Sequence, residues 1–207
     1  MSGQVHPLDI PGVLLIETSG SADARGSFRE YATGTMLRTF TGRDAAFRQV
    51  NCSRSVRGAL RGISVTGIPP GQSKVVTCLA GAILDVTVDL RAGSATFGAW
   101  HMERLGEENA AAVYVPPGVG HCFLSLADGS LVMYLLSQVH DPGLERRVNP
   151  LDPAIGIEWP DAIEPVLSLR DTSAPGLEEA LRAGFLPDWS ACAAPDSAVT
   201  GAQITVR

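Results

Sequence analysis

The sequence predicts an all-β domain with short helices near its ends. Short runs rich in β-branched and apolar residues recur along the chain, turn signals separate these runs, and helical patterns occur only toward the termini. The turn signals are Pro69-Pro70-Gly71, Arg91–Ser94, Pro116-Pro117-Gly118 and Asp128-Gly129. Many short strands at this spacing favour a sandwich or a barrel over alternating βα units.

Each predicted element follows from its local pattern. The predicted strands are Val13–Glu17, Phe47–Cys52, Lys74–Leu79, Ala82–Leu90, Phe97–Leu105, Ala111–Val115, Cys122–Ser125 and Ser130–Ser137. The run Ala82–Leu90 alternates most regularly, with Ile83, Asp85, Thr87 and Asp89 on one face and apolar residues on the other. Helices are predicted over Ala32–Phe40 and Gly176–Ala183.

Length and composition predict one folded domain. We expect it to span residues 1–190, followed by a flexible Ala-, Ser- and Thr-rich tail over residues 191–207. A chain with 45% hydrophobic and 18% charged residues is not globally disordered. The 16 basic and 22 acidic residues give a net charge of −6 without any basic block, which argues against nucleic acid or an anionic membrane as a partner.

The sequence also predicts a cytoplasmic protein. No apolar run reaches the roughly 18 residues that a membrane span needs, and Met1–Pro11 lacks the basic start and apolar core of a signal peptide. The four cysteines lie far apart with no CxxC pair, so we expect reduced thiols rather than disulfides or a zinc site. No metal or cofactor is predicted, because HxH, HExxH, a P-loop and GxGxxG are all absent from the sequence.

A group of polar residues predicts an anion-binding cavity. Gln49 and Asn51 share one face of a strand, and Arg61, Gln72 and Lys74 follow them along the chain. Lys74 is the one lysine of the sequence. Polar amides beside cations are costly in an apolar core, whereas arginine and lysine suit phosphate oxygens. A solvated outer sheet face is the alternative.

Two further segments carry candidate chemistry. The segment Asp23–Glu30 places a charge pair and an aromatic residue on a turn, and a simple surface turn is the alternative. The segment Pro116–Phe123 is a rigid turn that delivers His121 into a strand. A lone histidine is more often structural than catalytic, so the local pattern alone leaves both roles open.

Taken in order, these segments resemble the dTDP-4-dehydrorhamnose 3,5-epimerase family. The resemblance runs from about Ile10 to Trp189 and rests on DARGSFRE, RQVNCSRS, LRG, PPGQSK, DVTVDLRAGSATFGAW, VPPGVGHCF, VMYLLS, LDPAIGIEWP and LSLRD. It implies a jelly-roll (double-stranded β-helix) cupin without a catalytic metal, usually a homodimer. The implied substrates are dTDP-4-keto-6-deoxyhexoses of rhamnose and antibiotic-sugar pathways.

The resemblance also implies site residues. It places the substrate-binding set at Arg25, Phe28, Glu30, Gln49, Asn51, Arg61, Lys74, His140, Glu145 and Arg170. His121 would hydrogen-bond the substrate, and Tyr134 would protonate the enolate from the face opposite the base. Asp171 would orient the catalytic histidine.

The chain departs from the family at the implied general base. The family has a histidine three positions after the arginine of an RGLH-type motif, and this chain has Arg61-Gly62-Ile63-Ser64. A serine hydroxyl cannot remove a proton from a carbon next to a ketone near neutral pH, whereas an imidazole can. His140 stands where the family usually has a tyrosine, and Arg146-Arg147 replace a less basic pair. Binding should therefore persist while the chemistry changes.

Three functions are compatible with this departure. The first is a sugar-nucleotide isomerase in which Tyr134, His121 or a relocated base such as His140 moves the proton. The second is a cupin that cyclises or isomerises a secondary metabolite lacking a nucleotide, with the Ser64 hydroxyl polarising a carbonyl. The third is a sugar-nucleotide-binding paralogue without catalysis.

Overall fold

The computed structural model describes residues 4–18, 20–42 and 46–192. The strands are β1 (Gln4–Pro7), β2 (Leu14–Glu17), β3 (Gly20–Asp23), β4 (Gly26–Arg29), β5 (Gln49–Ser55), β6 (Leu60–Thr66), β7 (Lys74–Ala80), β8 (Ala82–Asp89), β9 (Trp100–Gly106), β10 (Ala111–Val115), β11 (Val119–Ser125), β12 (Ser130–Leu136) and β13 (Glu145–Arg147). The helices are α1 (Gly34–Thr41), α2 (Leu169–Thr172), α3 (Leu177–Arg182) and α4 (Trp189–Cys192).

The strands form two large antiparallel sheets and a separate hairpin. One sheet has six strands in the order β1-β2-β10-β7-β12-β5, and the other has five in the order β13-β6-β11-β8-β9. Strands β3 and β4 pair only with each other within the described residues. The all-β prediction with short helices near the ends is confirmed.

The two large sheets pack face to face around a shared core. Val76 and Val132 of the six-stranded sheet belong to the same buried cluster as Ile83 and Phe123 of the five-stranded sheet. A second cluster covers the outer face of the five-stranded sheet, where Val86 contacts a group that includes residues of α3. Both faces of that sheet are therefore buried.

The alternation predicted for Ala82–Leu90 is present in β8, but its polar face is not solvated. Val86 and Val88 point to the outer cluster, so Asp85 and Thr87 point into the space between the sheets. Asp85 is 1% exposed. Burying carboxylates on a sandwich interior is costly unless they are paired, so this face marks a specialised region.

Local signals explain where the helices begin and end. Thr33 caps α1, its hydroxyl accepting a hydrogen bond from the backbone N–H of Met36, and Gly42 ends the helix in the left-handed conformation. Ser168 caps α2 in the same way, accepting from the N–H of Asp171. The cap at Ser168 fixes the position of Asp171, which matters for the site.

The C-terminal part differs in detail from the prediction. Helix α4 continues to Cys192, so the first two residues of the predicted tail are helical, and Cys192 is buried. The remainder of that tail, residues 193–207, lies outside the described residues. No helix in the described part of the chain is long and apolar enough to cross a membrane.

Candidate active site

A cavity of about 600 Å³ opens between the two sheets and gathers most of the predicted site residues. Strand periodicity explains how these side chains reach it. Lys74, Tyr134 and His121 each lie two positions from a core residue on the same strand, namely Val76, Val132 and Phe123. Because side chains of a strand alternate between its faces, each of the three points inward where the apolar core ends.

His121 forms the most buried polar pair of the cavity. Its Nε2 lies 2.6 Å from Oδ1 of Asp85 on the neighbouring strand β8, and the two residues are 4% and 1% exposed. The carboxylate fixes the orientation of the imidazole and leaves Nδ1 as the nitrogen that can meet a ligand. Oδ2 of Asp85 is buried without a hydrogen-bond partner among the described residues. The pair therefore places a polar, hydrogen-bonded imidazole at the buried end of the cavity.

Tyr134 lies beside this pair. Its ring meets the His121 ring edge-on, with the centroids 6.1 Å apart, and its hydroxyl lies 3.3 Å from Oγ of Ser53. Burial raises the pKa of the Tyr134 phenol well above its ordinary value, and the hydrogen bond between the phenol and Ser53 only partly opposes this. The phenol thus stays protonated in the ordinary pH range and can serve as a proton donor.

Ser64 lines the same cavity from β6. Its neighbours on that strand, Ile63 and Val65, belong to the outer cluster, so Ser64 points inward. Strand β6 runs very close to β11: a Cβ atom on Gly62, which has φ 109°, would lie 2.5 Å from the carbonyl oxygen of His121. Glycine is therefore required at position 62. In the register of the two strands, Ser64 lies opposite His121.

Within the part of the chain that the structure describes, the Asp171 carboxylate has no hydrogen bond or ion pair with a histidine. Its Oδ1 accepts a hydrogen bond from Nη1 of Arg147, and its Oδ2 accepts one from the Ser168 hydroxyl at 2.7 Å. Nη2 of Arg147 donates to Glu145 at 2.9 Å. Arg147 therefore joins two predicted site carboxylates, and its Nε is buried without a partner among the described residues. Arg147 also lies directly opposite Ser64 in the register of β13 and β6.

Lys74 is buried at the wall of the cavity, at 8% exposure. Its Nζ lies 3.4 Å from Oγ of Ser64. The pKa of Lys74 is lowered to about 8, mainly because the side chain is buried; the Arg147 charge acts in the same direction, while the Glu145 and Asp85 carboxylates oppose the shift.

Most predicted site residues line this one cavity. They are Asn51, Arg61, Ser64, Lys74, His121, Tyr134, His140, Glu145 and Asp171. Gln49 lies just behind them, its side chain donating to Asn51 and accepting from the backbone N–H of His140. These placements agree with the predicted positions, and the predicted roles stay predictions.

Besides Gln49, four predicted binding residues lie outside the lining of this cavity within one chain. Arg25 and Phe28 lie on the β3–β4 hairpin and Glu30 directly follows it. The hairpin is exposed along almost its whole length, Phe28 is 62% exposed, and the Arg25 guanidinium pairs with Asp23 at 2.6 Å. Arg170 is exposed on α2. A single chain therefore does not bring the hairpin residues to the cavity.

Sequence reasoning missed two residues that the fold brings to the site, Asp85 and Arg147. The alternation of Ala82–Leu90 places Asp85 on one face of the predicted strand. A carboxylate on the face that turns inward would have indicated a site residue. Arg147 was noted as part of a basic pair, but its contacts with Asp171 join residues 24 positions apart. No local pattern could give that pairing. In the described residues, no three His, Cys, Asp or Glu side chains are grouped so that they could hold a metal ion.

Comparison with known proteins identifies the relatives of this chain. The family described as dTDP-4-dehydrorhamnose 3,5-epimerase matches residues 7–179. A protein of that description from Streptomyces griseus is 48% identical over 190 residues, which cover 92% of this chain and 94% of the relative.

Two solved structures superpose closely on the fold. NovW, a 4-keto-6-deoxy sugar epimerase from the novobiocin gene cluster of Streptomyces spheroides, has a TM-score of 0.90 and 42% identity over 93% of this chain and 96% of its own. ChmJ, a 3'-monoepimerase from Streptomyces bikiniensis, was solved in complex with dTDP-quinovose. It has a TM-score of 0.88 and 48% identity, covering 90% of this chain and 94% of its own. The jelly-roll cupin prediction is thereby confirmed.

Proposed function

Because the chain belongs to the dTDP-4-dehydrorhamnose 3,5-epimerase family, we propose that its cavity binds a dTDP-4-keto-6-deoxyhexose and moves a proton on a carbon next to the ketone. The named relatives are epimerases, which are isomerases. The observation that carries the proposal is the joint presence of a cationic wall and three proton-transferring groups, Lys74, His121 and Tyr134, in one cavity.

The charge of the cavity supports a diphosphate ligand. Its lining contains four cationic side chains, Arg54, Arg61, Lys74 and Arg147, and two carboxylates, Glu145 and Asp171. Arg147 pairs with both carboxylates. Within the described residues, the other three cations form no ion pair, and they face a cavity in a chain of net charge −6. Arginine forks and an ammonium group suit phosphate oxygens.

The interior of the cavity supports proton transfer. The imidazole of His121, oriented by Asp85, and the protonated phenol of Tyr134 lie side by side. One group can accept a proton from the carbon next to a ketone, and a second can return a proton to the enolate. Ser64 stands where the resemblance places the family's base, so the accepting group in this chain differs from that of the family.

The reaction is tested by ligand stabilisation and isotope exchange. At a dTDP concentration about 100-fold above Kd, we expect a rise in melting temperature of about 5–10 °C, from about 2.7 kcal/mol of linkage and roughly 2–4 °C per kcal/mol. With the protein present, deuterium from solvent should then enter C3 or C5 of dTDP-4-keto-6-deoxyglucose faster than it does in buffer without protein. Arg61→Ala should weaken both effects, and Arg182→Ala, an exposed arginine on α3, should change neither.

The outcomes separate the three functions. No dTDP shift would favour a substrate without a nucleotide, as in the cyclase alternative. A dTDP shift without exchange above buffer would favour the non-catalytic binding paralogue. Either result would contradict the proposed reaction.

We further propose that the active form is a cytoplasmic homodimer in which the β3–β4 hairpin of one chain completes the cavity of the other. Three observations support this arrangement. Arg25, Phe28 and Glu30 are predicted ligands that lie outside the cavity of their own chain. The hairpin is solvent-exposed and pairs with neither large sheet in the described residues. Strand β5 ends the six-stranded sheet with Val50 58% exposed, an apolar edge that a second chain would cover.

Subunit mixing tests the dimer. Arg25→Ala and Arg61→Ala should each reduce exchange when they are the only chains present. If the hairpin acts across the interface, mixing the two variants should restore about a quarter of wild-type exchange, since half of the dimers are mixed and each holds one intact site. Light scattering should give the mass of two chains. A monomer, or a mixture no more active than its components, would contradict the arrangement.

A further inference from the structure

The cavity holds one strong base candidate that the family resemblance assigns only to substrate binding. Lys74 begins β7 and is only 8% exposed. Its Nζ lies 3.4 Å from Oγ of Ser64. Ser64 is the position at which the resemblance expects an imidazole. The Lys74 amine therefore lies within hydrogen-bond distance of the residue at the position where the family has its base.

The carboxylates near Lys74 are already occupied. Glu145 and Asp171 pair with Arg147, and Asp85 pairs with His121. Within the described residues, Lys74 forms no ion pair, and its side chain donates a hydrogen bond to Ser64. A buried ammonium without a counter-ion is destabilised relative to the neutral amine. The structure thus shifts the protonation equilibrium of this side chain toward the neutral amine, compared with an exposed lysine.

We propose that Lys74 is the general base of this site, taking the proton from the carbon next to the ketone with Ser64 holding its amine in place. The inference rests on the proposed function, because it needs a ketone in the cavity. In the step, the carbon–hydrogen bond breaks, its electron pair forms the enolate, and the proton forms a new N–H bond on Nζ. The ammonium can return its proton to the carbon, which restores the ketone. Alternatively the Tyr134 phenol donates the proton, and the site is reset when the ammonium releases a proton to solvent and the phenolate takes one up. No oxidant or co-reactant is needed.

The charge surroundings of Lys74 are consistent with this role. Burial is the main cause that lowers its pKa to about 8; the Glu145 and Asp85 carboxylates oppose this shift and the Arg147 charge adds to it. Enzymes that use lysine as a base also lower its pKa by burial and neighbouring charge. About a tenth of the side chains would be neutral at pH 7 and half at pH 8. The charged or titratable groups around it come from β6, β8, β11, β12, β13 and α2: Arg61, Asp85, His121, Tyr134, Glu145, Arg147 and Asp171.

The direction of the pH dependence distinguishes a base from a fixed cation. A base works as the neutral amine, so exchange should rise with pH and level off above about pH 8. A lysine that only binds an oxyanion works as the ammonium, so exchange should fall over the same range. Because the chain has one lysine, protein labelled with [13C]lysine gives one side-chain signal, and its titration should follow the exchange profile.

Two variants separate base chemistry from binding. Lys74→Arg keeps the cation but cannot become neutral, so we expect dTDP binding within a few-fold of wild type and a loss of exchange of about 10²–10⁴-fold. In Lys74→Ala, added methylamine should restore part of the exchange. Thermal unfolding of both variants controls for folding, and the labelled wild-type titration needs no variant at all.

The possible failures are distinguishable. Exchange that falls above pH 8, a Lys74→Arg variant that retains exchange, or a lysine signal that titrates at an ordinary pKa of about 10.4 would overturn the role of Lys74. The proposed function would survive each of these results. A wild-type protein that binds dTDP but exchanges no proton at any pH would overturn both.

Discussion

Replacing Ser64 with histidine and Arg147 with alanine in the same chain is expected to increase proton exchange at C3 or C5 by about 10²-fold or more over wild type. Histidine at position 64 would enter the cavity from β6. Removing the arginine would release Asp171, whose Oδ1 is now held by Arg147, so that the carboxylate could orient the new imidazole. The cavity lining already contains Lys74, His121 and Tyr134.

The single variants test whether both substitutions are needed for the gain in exchange. We expect Ser64→His alone to give less than about a tenth of the gain, because Arg147 lies opposite position 64 and keeps Asp171 paired. The two substitutions touch one contact network, so their effects should not add. Ser64→Asn with Arg147→Ala is the matched control, since an amide of similar size is not a base. A full gain from Ser64→His alone would show that Arg147 does not withhold Asp171.

Stability must be followed in the same series. Arg147→Ala leaves two carboxylates, Glu145 and Asp171, without their shared cation, and Asp171 is 3% exposed. Loss of one partner of a buried ion pair is destabilising. Exchange rates should therefore be compared well below the melting temperature of each variant, measured with dTDP bound.

Replacing Tyr134 with phenylalanine is expected to reduce inversion of the sugar by about 10²–10⁴-fold while reducing deuterium exchange much less. Its buried phenol has a raised pKa and stays protonated, so it can deliver a proton to the enolate. Without that donor, the base can still remove a proton and return one from solvent to the same face. Exchange would then continue without a change of configuration.

The measurement compares two signals from one reaction mixture. NMR of the sugar after borohydride reduction reports inversion, and mass spectrometry reports deuterium incorporation. Ser53→Ala is the control, because it removes the hydroxyl partner 3.3 Å from the phenol and leaves the phenol itself. Phenylalanine keeps the ring, so the cost in stability should be about 1 kcal/mol. Equal losses of exchange and inversion would show that Tyr134 acts before the enolate forms.

Local patterns predicted much of the sandwich but not all of its strands. The β-branched runs at β7, β8, β10 and β12 are strong enough to be found from the sequence. Strand β6, Leu60–Thr66, was not predicted, because Arg61, Gly62 and Ser64 interrupt its apolar pattern. It forms because β11 and β13 pair with it on either side. A strand that lines a polar cavity has the wrong pattern for an ordinary half-buried strand.

The contacts among the site residues also could not be predicted from local sequence patterns. The resemblance grouped Arg25, Phe28, Glu30 and Arg61 as ligands, and the fold places only Arg61 in the cavity lining of its own chain. The pairing of Asp85 with His121 joins residues 36 positions apart. Such contacts depend on which strands become neighbours, and single-sequence periodicity carries no information about that.

By itself, the amino-acid sequence predicted the β architecture, a set of ligands for a phosphate-bearing sugar and a serine at position 64 where the resemblance expects a histidine, because residue identity and strand alternation are local properties. Only the tertiary structure shows which side chains surround Ser64. Pairing of β6 with β11 and β13 brings Ser64, His121 and Arg147 side by side, and packing of the two sheets buries Lys74 beside them. Burial and neighbouring charge set the basicity of an amine, and both exist only once distant strands have come together.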